Sequence, residues 1–170
     1  MNIAVFCSAN NDIDPDYFRA AEELGLWIAK NGHSLIYGGG NSGLMECIGK
    51  TVHEAGGRTI GVIPRLMEEG RRKSDFIDIE IPCEDLSDRK AIIMERADEF
   101  YALPGGIGTI DEVFTVAASA TIGYHRKKVI LCNVKGFWDN LIALMKDYQQ
   151  KGMIRGDLYD YIEIKDINNL

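Results

Sequence analysis

The sequence is poor in the residues that build disulfide frameworks and metal sites. Four cysteines and three histidines are scattered along the chain, at Cys7, Cys47, Cys83, Cys132, His33, His53 and His125. None of them forms a Cys-x-x-Cys pair or a Cys/His spacing typical of zinc sites. We therefore expect buried thiols in a reducing compartment, the cytoplasm, and no bound metal.

Long apolar runs and an excess of basic charge are also missing. Apolar stretches such as Val129–Cys132 fall far below the roughly 18 residues of a membrane span, and the strand-like start, Met1–Cys7, predicts no export signal. The 19 basic and 26 acidic residues give a net charge of −7. Such a surface repels nucleic acid and anionic membranes, so neither is an expected partner, although a local basic pocket for a small phosphorylated ligand is compatible with it.

The 170 residues, 46% of them hydrophobic, suffice for one soluble domain with a real core. Predicted strands are Asn2–Cys7, Ser34–Tyr37, Arg58–Ile63, Phe76–Ile81, Glu99–Leu103, Lys128–Cys132 and Tyr159–Ile164. Predicted helices run from Pro15 to the Asn31-Gly32 stop, and over Gly43–Ala55, Asp85–Arg96, Thr109–Ile122 and Phe137–Gln150. The charged residues 65–75 read as a mobile surface segment. This β–α alternation predicts a single doubly wound, Rossmann-like α/β domain over residues 1–170, with a mostly parallel sheet and a site at the carboxyl ends of its strands.

Two glycine-rich loops follow predicted strands and precede predicted helices. The first contains Gly38, Gly39, Gly40 and Gly43. Its glycines permit close approach of a ligand, and the next helix offers N–H groups to an anion, but a tight turn is the alternative interpretation.

The second loop is Pro104-Gly105-Gly106-Ile107-Gly108-Thr109. It predicts a cradle of N–H donors for a phosphate beside the Thr109 hydroxyl. Because the Gly-Lys-Ser/Thr ending of a Walker loop is missing, magnesium-dependent hydrolysis of nucleoside triphosphates is disfavoured. Glu112 has two interpretations: it closes a capping box with Thr109, or it lies near the sugar of a bound nucleotide.

Recognisable motifs are spread over nearly the whole chain. They are Tyr37-Gly38-Gly39-Gly40, Gly43-Leu44-Met45, Gly61-Val62-Ile63-Pro64, Arg89-Lys90, Pro104-Gly105-Gly106-x-Gly108-Thr109-x-x-Glu112, Gly123-x-His125, Lys128-Val129-x-Leu131-x-Asn133 and Gly136-Phe137-Trp138-Asp139. In this order the motifs resemble the Lonely Guy family of cytokinin-activating phosphoribohydrolases. The family's catalytic arginine, followed by lysine, lies fifteen residues before the proline of the glycine motif, which selects Arg89 rather than Arg96.

The resemblance implies hydrolysis of the N-glycosidic bond of adenosine 5′-monophosphate, often N6-prenylated, to free base and ribose 5-phosphate. It implies Arg89 and Glu112 as catalytic residues. The implied substrate-binding residues are Gly38, Gly39, Gly40, Gly43, Lys90, Gly105, Gly106, Ile107, Gly108, Thr109 and Asp111. No cofactor is implied. A homodimer is expected from the family and from the small side chains of Val116–Ala120, although that stretch can equally pack on the sheet.

Several positions depart from the family pattern. The first loop is reduced to Cys7–Asn10, Leu86-Ser87-Asp88 replaces Met-His-Glu, Glu46 replaces a glycine, and Ala118-Ser119 replaces a Thr-Trp pair near the expected base pocket. These departures leave the preferred base open. A non-catalytic nucleotide-binding or cofactor-carrier protein of the same fold is the alternative function. A lysine decarboxylase is disfavoured because no pyridoxal-phosphate lysine is recognisable.

Overall fold

A computed structural model describes residues 1–66, 70 and 72–167 and shows a seven-stranded sheet. The strands are β1 Asn2–Phe6, β2 Ser34–Tyr37, β3 Arg58–Pro64, β4 Ile79–Cys83, β5 Glu99–Ala102, β6 Val129–Cys132 and β7 Ile162–Lys165. The helices are α1 Pro15–Lys30, α2 Gly43–Glu54, α3 Leu86–Arg96, α4 Ile107–Thr121 and α5 Asp139–Gln150, with short 3-10 turns at Val134–Gly136 and Leu158–Asp160. Within the described ranges, no helix is long and apolar enough to cross a membrane.

All strand pairings are parallel, in the order β4-β3-β2-β1-β5-β6-β7. The order reverses between β1 and β5, so the loops that follow these two strands leave the same edge side by side. The Ser8 N–H donates to the Pro104 carbonyl at 3.1 Å, which ties the two loops together. A crevice at such a reversal is the usual ligand site of an open α/β sheet.

Helices cover both faces of the sheet, which confirms the doubly wound prediction. One face packs against apolar residues of α1 and α2, including Leu24 and Ile48. The other face packs against α3, α4 and α5 through Ile93, Val113 and Ile142. Burial on both faces explains why the central strands read as continuous apolar runs.

Some predicted boundaries are wrong, each for a local reason. β4 begins at Ile79 rather than Phe76, because the Asp78 carboxylate accepts the Thr59 N–H at 2.8 Å and holds the preceding residues in a turn. Helix α4 begins two residues before Thr109, because Gly106 is its N-cap. Helix α5 begins at Asp139 because the Asn133 side chain holds the Trp138 N–H outside the helix.

The surface position predicted for residues 65–75 is wrong for Ser74, and residues 72–74 bond to the first glycine loop. Asn41 donates its N–H to the Arg72 carbonyl at 3.0 Å, and Ser74 donates to the Gly39 carbonyl at 2.9 Å. Ser74 is buried. These residues therefore form part of the wall behind the first glycine loop. Residues 67–69 and 71 lie outside the described residues.

Candidate active site

A cavity of about 240 Å³ opens at the carboxyl ends of β1 and β5. Its wall combines the loop after β1, the first turn of α2, one side chain of α3 and the start of α4. The lining residues are Cys7, Ser8, Ala9, Asn10, Met45, Arg89, Gly106, Ile107, Gly108, Thr109 and Glu112. The cavity thus joins parts of the chain that are about 100 residues apart.

The two residues predicted as catalytic meet at this cavity. Nη2 of Arg89 donates to Oε1 of Glu112 at 3.2 Å, and the two side chains are only 13% and 6% exposed. Removing one partner of a buried ion pair leaves the other charge uncompensated, which is strongly unfavourable. The pair therefore places a carboxylate and a guanidinium in a fixed arrangement beside the cavity.

Local structure fixes Arg89 from two sides. Asp85 caps α3 by accepting the Ser87 and Asp88 N–H groups at 2.8 and 2.9 Å, so the helix starts just before Arg89. Gly38 leaves room for the guanidinium, because a Cβ at that position would lie 3.2 Å from Nη1 of Arg89. The Gly38 backbone and the arginine are thus in close contact.

Burial raises the pKa of the Glu112 carboxyl to about 7. The Arg89 guanidinium and the Lys90 ammonium oppose this rise, whereas the nearby Asp111 carboxylate adds to it. From the loop after β1, the Cys7 thiol also faces Glu112, and burial together with the Glu112 charge raises the pKa of that thiol. Glu112 therefore changes its ionisation near neutral pH while Cys7 stays protonated.

A second ion pair runs alongside the first, between the same two helices. Nζ of Lys90 contacts both carboxylate oxygens of Asp111, at 2.9 and 2.7 Å. Lys90 is 20% exposed and Asp111 is 54% exposed. The Lys90–Asp111 ion pair thus links α3 to α4 next to the Arg89–Glu112 pair.

The second glycine loop forms the start of α4. Gly106 is the N-cap, and because glycine has no side chain, the helix start has no side-chain capping bond. Ile107, Gly108 and Thr109 are the first three helical residues. The N–H groups of a first helical turn and the helix dipole favour an anion at this place. Thr109 is buried, and a Cβ on Gly105 would overlap its side chain.

The capping-box interpretation of Glu112 is wrong. Thr109 lies inside the helix rather than at its N-cap, and the Glu112 carboxylate bonds to Arg89. The glutamate is therefore held toward the cavity by a residue of a different helix.

The first glycine loop has a different environment from the second. At the start of α2, Gly43 donates its N–H to Oδ1 of Asn11 at 2.9 Å, and Leu44 donates to the Ser8 carbonyl at 2.8 Å. Gly38–Gly40 are buried, and Gly39 has φ +67° and contacts Ile63. Since these two N–H groups are already bonded within the chain, the expectation that this helix start offers them to an anion is wrong.

Sequence reasoning did not select several lining residues. Ser8, Asn10 and Met45 border the cavity. The only sequence signal for these residues is their position after a strand end or a glycine-rich segment. Ala118 lines a separate apolar cavity, and the Ser119 hydroxyl bonds to the Thr115 carbonyl. Ala118 and Ser119, which replace the family's Thr-Trp pair, thus lie away from the Arg89–Glu112 cavity of the same chain.

Arg96 lies at the far end of α3, exposed, where its carbonyl accepts a hydrogen bond from the Asn2 side chain. It contributes nothing to the cavity lining. The register that selected Arg89 over Arg96 therefore agrees with the geometry.

Comparison with known proteins places this chain in a family. A family model described as "possible lysine decarboxylase" matches residues 45–169. A probable cytokinin riboside 5′-monophosphate phosphoribohydrolase of Oryza sativa subsp. japonica is 37% identical over 152 residues, which are 89% of this chain and 66% of the relative. A cytokinin riboside 5′-monophosphate phosphoribohydrolase of Arabidopsis thaliana is 36% identical, over 89% of this chain and 70% of the relative. The chain belongs to the Lonely Guy family.

Solved structures extend the likeness to proteins with a different kind of name. The molybdenum cofactor carrier protein of Chlamydomonas reinhardtii superposes with a TM-score of 0.74 at 25% identity, over 98% of this chain and 91% of that one. A molybdenum cofactor binding protein from Rippkaea orientalis superposes with a TM-score of 0.68 at 25% identity, over 99% and 91% of the two chains. The fold is thus shared by proteins named as enzymes and by proteins named as carriers.

Proposed function

We propose that the protein hydrolyses the N-glycosidic bond of adenosine 5′-monophosphate or an N6-modified form of it. The products are the free base and ribose 5-phosphate. The observation that carries this proposal is the buried Arg89–Glu112 pair beside the uncapped start of α4. The phosphoribohydrolase relatives support the same reaction class.

The chemistry follows from the charge that develops on the sugar. When the bond between C1′ and the base breaks, its electron pair leaves with the base and positive charge spreads over C1′ and the ring oxygen. The ionised Glu112 carboxylate stabilises that positive charge. Water adds to C1′ and loses a proton, and the departing base gains a proton. Arg89 favours the ionised form of Glu112 and holds the carboxylate toward the cavity.

In this proposal, the 5′-phosphate lies at the start of α4. The N–H groups of Ile107, Gly108 and Thr109 belong to a first helical turn whose N-cap is Gly106. Glu112 lies one turn further along the same helix, so a phosphate at the helix start puts the ribose near the carboxylate. We propose that the first glycine loop acts through Gly38, by its close approach to Arg89.

The decisive experiment incubates the protein with AMP and with N6-prenylated AMP and separates base from ribose 5-phosphate by chromatography. Glu112→Gln is expected to lower kcat by about 10²–10³, because it removes the charge that faces the cationic sugar. Arg89→Ala is expected to lower kcat as well and to raise KM.

Arg96→Ala is the matched control, since this exposed arginine lies on the same helix as Arg89 but away from the cavity. It should keep full activity. Near wild-type hydrolysis by Glu112→Gln would falsify the catalytic assignment. If the wild-type protein binds both nucleotides and releases no base, the carrier function that the molybdenum cofactor proteins suggest takes its place.

We also propose that the protein is a cytoplasmic homodimer. Its four cysteines are free and three of them are buried, which suits a reducing compartment. An apolar cavity of about 350 Å³ lies between α4 and α5, and its lining includes Ala118, Ile122 and Met153. Ile122 and Met153 are 61% and 75% exposed. A second copy that covers this face would remove their apolar surface from water.

A further inference from the structure

A second cavity, of about 230 Å³, lies on the other side of the loop that follows β1. It is lined by Ser8, Asn10, Ile13, Tyr17, Pro104, Gly105, Gly106 and Phe137. Ser8, Asn10 and Gly106 also line the cavity that holds Glu112. The two cavities are therefore neighbours that share the loop after β1 and the N-cap of α4.

Two aromatic rings make part of the second cavity's lining apolar. The rings of Tyr17 and Phe137 lie 5.5 Å apart, edge to face, and the Phe137 side chain is 37% exposed. Ile13 adds apolar surface, while Ser8 and Asn10 add polar groups. Such a lining suits a planar ring that carries a few polar atoms.

The segment that presents Phe137 is held in place by ion pairs to α1. Nζ of Lys135 contacts carboxylate oxygens of Asp14 at 2.6 Å and Asp16 at 3.1 Å. Lys135 has φ 52°, and within the described part of the chain it is the sole non-glycine residue with a positive φ. Non-glycine residues with a positive φ are uncommon and cluster at functional sites.

The two cavities lie at the edge of the sheet where the strand order reverses, between β1 and β5. One lies toward α1 and the other beside Arg89 and Glu112, with the β1 and β5 loops between them. Each cavity is smaller than about 300 Å³, the lower end of typical ligand pockets, whereas the two together lie within that range. In open α/β sheets, ligands with two organic halves cross this crevice with their phosphates at a helix start.

We propose that the Tyr17–Phe137 cavity binds a second ring attached to the 5′-phosphate of the nucleotide, so that the site accepts dinucleoside diphosphates as well as nucleoside monophosphates. One nucleoside lies beside Glu112, the phosphates lie at the start of α4, and the second base lies against Tyr17 and Phe137. This inference shares the phosphate position of the proposed function and does not require cleavage.

The test compares the binding of AMP and of P1,P2-di(adenosine-5′) diphosphate by isothermal titration calorimetry. Wild-type protein and the slow Glu112→Gln variant are both titrated, so that hydrolysis does not disturb the measurement. The dinucleotide is expected to bind about tenfold more tightly than AMP, because its second base buries an additional ring. Equal affinities for the two ligands would overturn the proposal.

Variants locate the second ring. Phe137→Leu keeps an apolar side chain next to Trp138, whose ring lies 4.8 Å from that of Phe137. It is expected to remove most of the tenfold preference for the dinucleotide, and Tyr17→Leu should do the same. Tyr159→Leu, at a half-exposed tyrosine that lines neither cavity, is the control that should keep the preference.

Two results would contradict the assignment. If Phe137→Leu weakens AMP and the dinucleotide by the same factor, the cavity holds part of AMP itself. If neither aromatic variant changes the ratio of the two dissociation constants, the second base lies elsewhere. The separate AMP cleavage assay tests the proposed function, so failure of one proposal is distinguishable from failure of the other.

Discussion

At the scale of single residues, the ionisation of Glu112 sets the expected pH dependence. Burial raises the pKa of its carboxyl to about 7, so below that pH the group is mostly protonated and carries no charge to stabilise a cationic sugar. We expect kcat/KM for AMP to rise as the pH increases through about 7 and then to level off. Rate measurements between pH 5 and 9 would show this rise. A profile that is flat across that range would contradict the role of an ionised Glu112.

The charges around Glu112 provide a sharper form of the same prediction. Arg89 and Lys90 face it from α3, Asp111 lies on its own helix, and Cys7 directly follows β1. Lys90→Met removes a positive charge and should move the rise in kcat/KM to higher pH. Asp111→Asn removes a negative charge and should move the rise to lower pH.

This pair of variants also separates two roles for Lys90. If Lys90 acts mainly by contact with the substrate, its loss should raise KM and leave the position of the pH profile unchanged. Opposite displacements of the two profiles would instead show that the Lys90–Asp111 pair sets the charge balance around Glu112. Displacement of both profiles in the same direction would exclude that explanation.

At the scale of elements, the phosphate site that we propose depends on the start of α4. A Cβ on Gly105 would overlap the buried Thr109 side chain. Gly105→Ala is therefore expected to cost about 1–3 kcal/mol of unfolding free energy. It should also lower kcat/KM by about tenfold or more, because the first helical turn must shift.

Gly108→Ala is the matched variant on the same turn. A Cβ there meets open space, and alanine favours a helix over glycine by up to about 1 kcal/mol. Its unfolding free energy should stay equal or rise, while KM for AMP rises because the methyl group narrows the cavity. Chemical denaturation together with steady-state kinetics measures both effects. An unchanged KM would argue against a phosphate at this turn.

The elements also show how far local sequence signals reach. Pro15 predicts the start of α1 correctly, because proline suits the first turn of a helix. Helix α3 begins at Leu86, one residue later than predicted, because Asp85 is its N-cap. The start of β4 was misplaced because Asp78 bonds to Thr59 on the adjacent strand. That contact depends on the register of the sheet, which no local pattern reveals.

At the scale of the whole molecule, we expect light scattering to give about twice the 19.0 kDa of one chain at micromolar concentration. Ile122→Asp places a charge at the rim of the apolar cavity between α4 and α5 and should shift the protein to monomers. Leu26→Asp is the control, since Leu26 is an exposed apolar residue on α1 that does not line that cavity. A wild-type mass of one chain would exclude the dimer.

The sequence by itself determined the doubly wound architecture, because apolar periodicity and glycine stops are local or nearly local signals. The resemblance to the family supplied the choice of Arg89 and the catalytic role of Glu112. The tertiary structure decided what those residues contact: it paired Glu112 with Arg89 rather than with a cap on its own helix, bonded the Gly43 and Leu44 N–H groups to the β1 loop, and set Tyr17 beside Phe137. Each of these contacts joins segments that are far apart in sequence, and only the parallel sheet and its strand order bring them to one edge.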